Sequence, residues 1–368
     1  MAIKTIDILN VMVFQRQWRL NNGDSKNADL KAGDTIGDGF HLDFCDGINV
    51  LMGENGVGKT TILKMIYGAT QWSFEKTNPG KAKKLVQFFS NNLSDMDFMK
   101  NVARNKDYCY FKVGDGEHYF EESLSHKGTF NFDQWLGLNI PSVFIPTTEM
   151  LSHSKGFLAM NEKYSMPFDG TQVDIIVNAS LPETKEIPKS MLGILDKISQ
   201  TIDGKVVVQD DIFYVEKNDG RKVEFSLEAE GLRKLGLLWK LIRNGLLEKG
   251  SVLLWDEPEA NLNPELYSLV VDILLELEKN GVQIFVATHS YNFAKYLEIR
   301  RTEQDQVRFI NLYKGTAAVN DKFVEHDFPI NEEDAIEIYS ESADRLEDLA
   351  HNPIIEADVK LLNEVYSE

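Results

Sequence analysis

Cysteine is nearly absent: the 368 residues hold two, Cys45 and Cys109. That excludes a disulfide-stapled scaffold and fits a reducing, cytoplasmic setting. Long apolar runs are missing too. No stretch approaches the ~20 residues that cross a bilayer, and Asp7 interrupts the apolar run nearest the N-terminus, so neither a membrane span, a membrane partner nor a secretory leader is expected. No heptad pattern is sustained, which excludes a long coiled-coil arm, and there is no internal repeat or low-complexity tract. What remains, 43% hydrophobic and 26% charged, is the composition of an ordinary globular chain. Its length leaves room for two or three lobes at roughly 100–200 residues each.

Basic residues are outnumbered, 39 against 58 acids. A net charge of −19 would ordinarily argue against a phosphate backbone as partner. The distribution weakens that inference. Residues 325–368 contain fourteen acids against Arg345 and Lys360, whereas residues 76–106 carry seven basic residues, among them Lys81, Lys83 and Lys84, against Asp95 and Asp97. The basic stretch reads as a solvated helix face or as a contact for DNA, RNA or an acidic protein. The acidic tail, with Ile336, Tyr339, Ala343, Leu346 and Leu349 and then Ile355, Val359, Leu362 and Val365 at spacings of three and four, reads as two helices. They would either cover an edge of the head or dock a basic partner.

Between these segments the pattern changes twice. The apolar run Ile48–Met52 leads through a glycine-rich turn into a helix beginning near Thr61. Residues 71–203 read as an inserted helical/β subdomain: helical patterning over Leu85–Val102, a hairpin of Tyr108–Val113 and His118–Glu121 about Asp115-Gly116, a strand Ser142–Ile145, and helices broken by Pro167, Pro182 and Pro188. Strands are predicted at Lys205–Val208, Ile212–Val215 and from Lys222. From Ala229 helices alternate with the strands Val252–Trp255 and Gln283–Ala287, the signature of a parallel α/β sheet. The expected division is therefore a discontinuous α/β head, 1–70 with 204–330, the insert 71–203, and a helical tail 331–368.

Gly53-Glu54-Asn55-Gly56-Val57-Gly58-Lys59-Thr60 matches the phosphate-binding loop in its strand–turn–helix context. Gly53, Asn55, Gly56 and Gly58 let successive backbone N–H groups turn toward phosphate, Lys59 reaches the outer phosphate oxygens, Thr60 ligates Mg²⁺ and Thr61 is available to the α-phosphate. The strand Val252–Trp255 ends in Asp256 and Glu257, whose side chains alternate; Asp256 would join the Mg²⁺ shell and Glu257 would act on the attacking water.

With these motifs stand Asp256-Glu257-Pro258-Glu259-Ala260-Asn261-Leu262-Asn263-Pro264 and Val286-Ala287-Thr288-His289-Ser290. In that order the chain resembles the ABC-class ATPase heads of the SMC/RecF/OLD grouping, bacterial AAA-family ATPases, as a small stand-alone member; Ile145–Leu151 and Asn352-Pro353-Ile354 extend the likeness. The resemblance implies a P-loop NTPase head with a mixed sheet, ATP and Mg²⁺ as cofactors, hydrolysis in a head-to-head dimer, Asn261 in the loop facing the opposite head, and His289 as a γ-phosphate switch. It also implies regulation of a nucleic-acid-directed partner in anti-phage defence or DNA repair, with any nuclease or toxin on a separate chain. Two features depart from the pattern. The signature helix opens with Glu228-Ala229-Glu230-Gly231, lacking the serine, so the backbone at Gly231 is left to approach a phosphate supplied in trans past two acids. No clear glutamine loop is present, and Glu149 stands after a strand where one belongs. A non-hydrolysing nucleotide-sensing scaffold and a transporter ATPase subunit are the competing readings.

Overall fold

A computed structural model describes residues 1–14, 39–80, 83, 85–90, 109–124, 130–164, 166–316, 336–350 and 363–364. Strands β1 (Thr5–Leu9) and β2 (Phe40–Asp43) pair antiparallel, Thr5 opposite Asp43 and Ile8 opposite Phe40. Strand β3 (Ile48–Gly53) is buried along its whole length and runs through the glycine turn into α1 (Lys59–Trp72). After α2 (Leu85–Phe89), the strands β4 (Tyr110–Gly114), β5 (Tyr119–Ser123) and β6 (Phe130–Asp133) extend the first sheet to the order β2-β1-β4-β5-β6. The hairpin predicted at Asp115-Gly116 is formed: the Asp115 carboxylate accepts the N–H groups of Glu117 and His118, and Gly116 takes φ +99°.

Strand β7 (Ser142–Ile145) is followed by α3 (Phe157–Tyr164), α4 (Gly170–Ser180) and α5 (Lys189–Thr201). A meander of β8 (Gly204–Gln209), β9 (Ile212–Lys217) and β10 (Lys222–Glu224) forms a sheet of its own. Then come α6 (Glu230–Arg243), β11 (Val252–Asp256), α7 (Tyr267–Lys279), β12 (Gln283–Thr288), α8 (Tyr291–Arg300), β13 (Val307–Thr316) and β14 (Ile336–Ala343). The central sheet has the order β14-β13-β3-β12-β11-β7, parallel from β13 to β7 and antiparallel only at β14.

Both faces of this sheet are covered, as a parallel sheet requires. Along β12, Ile284 and Val286 face the core made by α3 to α8, while Phe285 and Ala287 face α1 and the antiparallel sheet. The same alternation holds in β11, with Leu253 and Trp255 on one side and Val252 and Leu254 on the other. Period-two burial thus fixes which end of each strand carries which side chain outward, and the C-terminal ends of β3, β11 and β12 converge on one edge.

The tail departs from its expected helices. Ile336–Ala343 is a strand, paired with β13 from Phe309↔Ala343 to Thr316↔Ile336. The spacing 336, 339, 343 fits a helix, but Ile336, Ile338, Ser340 and Ser342 also alternate with Glu337, Tyr339 and Glu341. The open edge of β13 selects the second pattern by completing its backbone hydrogen bonds. Tyr339 stacks on Tyr313 with centroids 5.8 Å apart, a packing that leaves no room for a Cβ at Gly315. The second predicted helix falls outside the described residues except at positions 363–364. Residues 71–203, expected as a separate insert, give β4–β6 to the first sheet and β7 to the central one, so a boundary at 71 would cut hydrogen-bonded ladders. Within the basic stretch, Lys83 is already paired with Asp174, which also accepts from Tyr67, and Lys76 is exposed; Lys81, Lys84, Lys100, Arg104 and Lys106 lie outside the described residues.

On the first sheet, His41 lies between Asp7 (Nδ1 to Oδ1, 2.6 Å) and Asp43 (Nε2 to Oδ1, 3.3 Å). The hydrogen bond to Asp7 and the two negative charges raise the imidazole to about 9. A raised pKa stabilises the fold fully below the unfolded value of ~6.5 and loses that stabilisation as pH climbs through 9. Solvent reaches half of the ring, so the pair contributes only about 0–1 kcal/mol. An NMR titration is expected to place the His41 midpoint near 9, and Asp7→Asn to move it back toward the free value; a midpoint near 6.5 in the unaltered protein would refute the assignment.

Candidate active site

The glycine turn after β3 takes backbone angles that L side chains avoid: φ is +82° at Gly56 and +94° at Gly58. Asn55 sits exposed at its tip beside Gly56. No side chain caps α1, so its first N–H groups remain available to an anion at the positive end of the helix. Lys59 folds back over this turn and donates from Nζ to the carbonyls of Gly53 (2.7 Å) and Glu54 (2.8 Å). Burial pushes its ammonium down from the ordinary value, against the pull of Glu257, Asp256, Glu259 and Glu54. To reach a phosphate the ammonium must exchange those two carbonyls for phosphate oxygens.

The end of β11 meets this turn. Thr60 Oγ1 lies 3.0 Å from each oxygen of Asp256, joining two segments that are 196 residues apart. Burial pushes the Asp256 carboxyl up, while the hydrogen bond from Thr60 lowers it. A hydroxyl and a carboxylate are the hard oxygen donors that Mg²⁺ takes, and with only these two from the protein, phosphate and water oxygens would complete the shell. Among the described residues there is no cluster of three or more His, Cys, Asp or Glu that could hold a metal unaided. Thr61, expected near the α-phosphate, donates instead to Met12 Sδ at 3.5 Å.

Glu257 is held at φ +50°, in the left-handed region, with its N–H on the Ala287 carbonyl at 2.8 Å. A non-glycine residue pays strain there of order 1–3 kcal/mol, which the β12 ladder secures. Its Oε1 lies 3.3 Å from Nδ1 of His289, immediately after β12. The third sequence motif is thereby brought against the acid pair.

The signature-helix region is arranged differently from its sequence expectation. Gly231 is buried, and a Cβ there would stand 3.1 Å from Leu262 Cδ1 and 3.6 Å from the Asn261 carbonyl. Its bareness serves close packing of α6 on the loop after β11. The two acids that would repel a phosphate are both engaged: Glu230 accepts from Asn261 Nδ2 at 2.8 Å, and Glu228 pairs with Lys217. Glu149 is engaged with protein donors, since Oε2 accepts from Arg233 (2.9 Å) and Oε1 from the Leu151 N–H (2.6 Å); this carboxylate ties the loop after β7 to α6.

Lys234 and Glu259 escaped the sequence reading of the site. Lys234, buried on α6, donates to the carbonyls of Ala260 and Glu257 (3.3 Å for the latter), and burial lowers its ammonium. Glu259 accepts from the Thr288 hydroxyl and from the His289 N–H at 3.2 Å. A lysine within the apolar stripe of α6, one position before Leu235, was the available sign of the first; the position of Glu259 two residues after Glu257 was the sign of the second.

Known proteins resemble this chain over part or most of its length. The family described as AAA domain, putative AbiEii toxin, Type IV TA system matches residues 172–294. The arginine transport ATP-binding protein ArtP of Haemophilus influenzae is 33% identical over 81 residues, covering 22% of this chain and 33% of ArtP. The L-cystine import ATP-binding protein TcyN of Bacillus subtilis is 27% identical over 158 residues, 38% of this chain and 59% of TcyN. Neither match spans two thirds of the relative's own length. Among solved structures, the SMC head domain of Thermotoga maritima aligns over 92% of this chain and 98% of its own, at 16% identity and a TM-score of 0.44.

Proposed function

Starting from the premise that the chain is an ABC-class P-loop ATPase, we propose that it is an ATP-driven switch, closing two heads on unhydrolysed ATP and releasing them after hydrolysis. The observation that carries this reading is the meeting of Thr60 with Asp256 and of Glu257 with His289, which gathers three distant segments at one strand edge. In the proposed reaction a water oxygen attacks the γ-phosphorus, its proton passes to Glu257, and the bond to the β–γ bridging oxygen breaks. Lys59 and the α1 N-terminus hold phosphate charge, and His289 faces the γ-phosphate. Mg²⁺ would supply further charge neutralisation beside Thr60 and Asp256.

Two features support closure against a second copy. The N-terminus of α6 has no side-chain cap, so its N–H groups are open to a phosphate from outside the protomer. Just before it, Leu227 is 78% exposed, a large apolar side chain unpaired in the single chain. In the Glu257→Gln protein, where ATP persists, light scattering is expected to show the mass doubling on addition of ATP, and Asn261→Arg to prevent it. An Asn261→Arg protein that hydrolyses normally would exclude the sandwich.

The output of the switch is proposed to be a separate effector, a nuclease or toxin, acting in anti-phage defence or repair. The matching family's description, which names a toxin and a TA system, supports the toxin part of this reading. The transport ATP-binding relatives favour a second reading, an energising subunit for a membrane partner. The missing serine before Glu230 weighs against it, and fractionation of the native protein with membranes would decide for it. No helix among the described residues is long and apolar enough to cross a membrane.

A further inference from the structure

Nδ1 of His289 lies between two carboxylates: Glu257 Oε1 at 3.3 Å and Glu259 Oε1 at 3.8 Å. The two acids are placed very differently. The Glu257 side chain is partly open to solvent, whereas that of Glu259 is 4% exposed and anchored by the Thr288 hydroxyl and the His289 N–H. Its other oxygen, Oε2, is buried without a hydrogen-bond partner among the described residues. A buried carboxylate oxygen left unpaired is costly, so a donor that could reach it would be strongly favoured. Lys234 and Lys59 lie close enough for their charges to feel Glu259, yet each already donates to backbone carbonyls. His289 is the neighbouring donor whose nearer carboxylate, Glu257, has another task.

That task creates a conflict within the site. Whenever Glu257 Oε1, 3.3 Å away, accepts a hydrogen bond from His289 Nδ1, that oxygen is not free to accept a proton from the attacking water. We propose that Glu259 is the positioning residue that resolves the conflict: it takes over the Nδ1–H hydrogen bond of His289, freeing Glu257 to turn to the water and holding the ring with Nε2 toward the phosphate. No covalent bond changes in this exchange. The imidazole moves its hydrogen bond from one carboxylate to the other, and the anchor at Thr288 keeps the loop in place while it does so. The inference rests on the reading of Glu257 as the group that acts on water.

The test is a double-mutant cycle in the full chain, with phosphate release giving kcat and KM and calorimetric titration giving ATP affinity. Glu259→Gln keeps an oxygen for Thr288 and presents an amide where Nδ1–H needs an acceptor. It is expected to lower kcat by about 10- to 100-fold. KM and ATP affinity should stay within about threefold, since the group acts through His289 and not on bound ATP. Glu259→Gln combined with His289→Ala should be no slower than His289→Ala alone. Wild-type kcat in Glu259→Gln, or losses that multiply fully in the double variant, would overturn the proposal. Should Glu259→Gln not fold, Thr288→Val removes the anchor without touching the charge, and the same kcat-only, non-multiplying loss is expected; wild-type turnover there overturns the proposal equally. Glu257→Gln in the same assay reports on the underlying reading alone: normal turnover in that variant would remove the water-directed role of Glu257 whatever Glu259 does.

Discussion

Lys59→Ala is expected to weaken ATP binding about 100-fold, while Glu257→Gln binds ATP as the unaltered protein does and turns it over about 10²–10⁴ times more slowly. The separation follows from where each group acts. Lys59 is 8% exposed and its ammonium rests on the carbonyls of Gly53 and Glu54, contacts that bound phosphate is expected to replace. Its charge-assisted contacts are made in the ground state, so their loss appears first in affinity. Glu257 stands one residue beyond Asp256, its backbone fixed to Ala287 and its side chain 3.3 Å from His289 Nδ1, and under the proposed reaction it acts on water and not on ground-state phosphate. Removal of its basicity therefore appears in kcat. Calorimetric titration with ATP and phosphate release on both variants measure the two effects. Full turnover by Glu257→Gln would end the assignment of that residue, and normal affinity in Lys59→Ala would end the other.

The contrast between legible and illegible parts of this chain has a physical origin. The phosphate loop and the acid pair could be read because each is contiguous: the glycines, Lys59 and Thr60 occupy one turn, and Asp256-Glu257 close one apolar run. Strands β11 and β12 could be read because burial on both faces leaves unbroken apolar stretches with a definite length. Strand β14 could not, since its residues satisfy two periods and the choice was made by β13, whose own sequence Val307–Thr316 carries a polar Asn311 and an Arg308 that mask its pattern. The partners of Glu228 and Glu230 were equally hidden. Lys217 lies eleven positions from the first and Asn261 thirty-one from the second, and no local spacing announces such pairs. The pairing of Glu149 with Arg233, eighty-four positions on, was hidden in the same way.

Gly58→Ala should be far more damaging than Gly56→Ala, because two separate costs fall on one position. The residue has φ +94°, where an alanine is strained by of order 1–3 kcal/mol. Its Cβ would also stand 2.4 Å from Cζ and 2.8 Å from Cε2 of Phe14, and 2.9 Å from Val13 Cγ2. Phe14 has little freedom to give way, being fully buried with its ring 4.6 Å from that of Phe40. Overpacking of this kind adds about 1–3 kcal/mol. Gly56 provides the internal control: its φ is +82°, yet the nearest atom to a Cβ there is Lys314 Nζ at 3.9 Å, so Gly56→Ala carries the backbone strain without the clash. Thermal unfolding is expected to drop by about 5 °C or more in Gly58→Ala and by less in Gly56→Ala. Phe14→Ala introduced into Gly58→Ala should remove the steric part while adding the cost of a cavity, so the double variant should be more stable than the sum of the two single losses implies. ATP affinity should fall in Gly58→Ala as well, because the strained residue precedes Lys59 and the first turn of α1. Equal stability of the two glycine variants would mean that Phe14 does not wedge the loop, and strict additivity in the double variant would lead to the same conclusion.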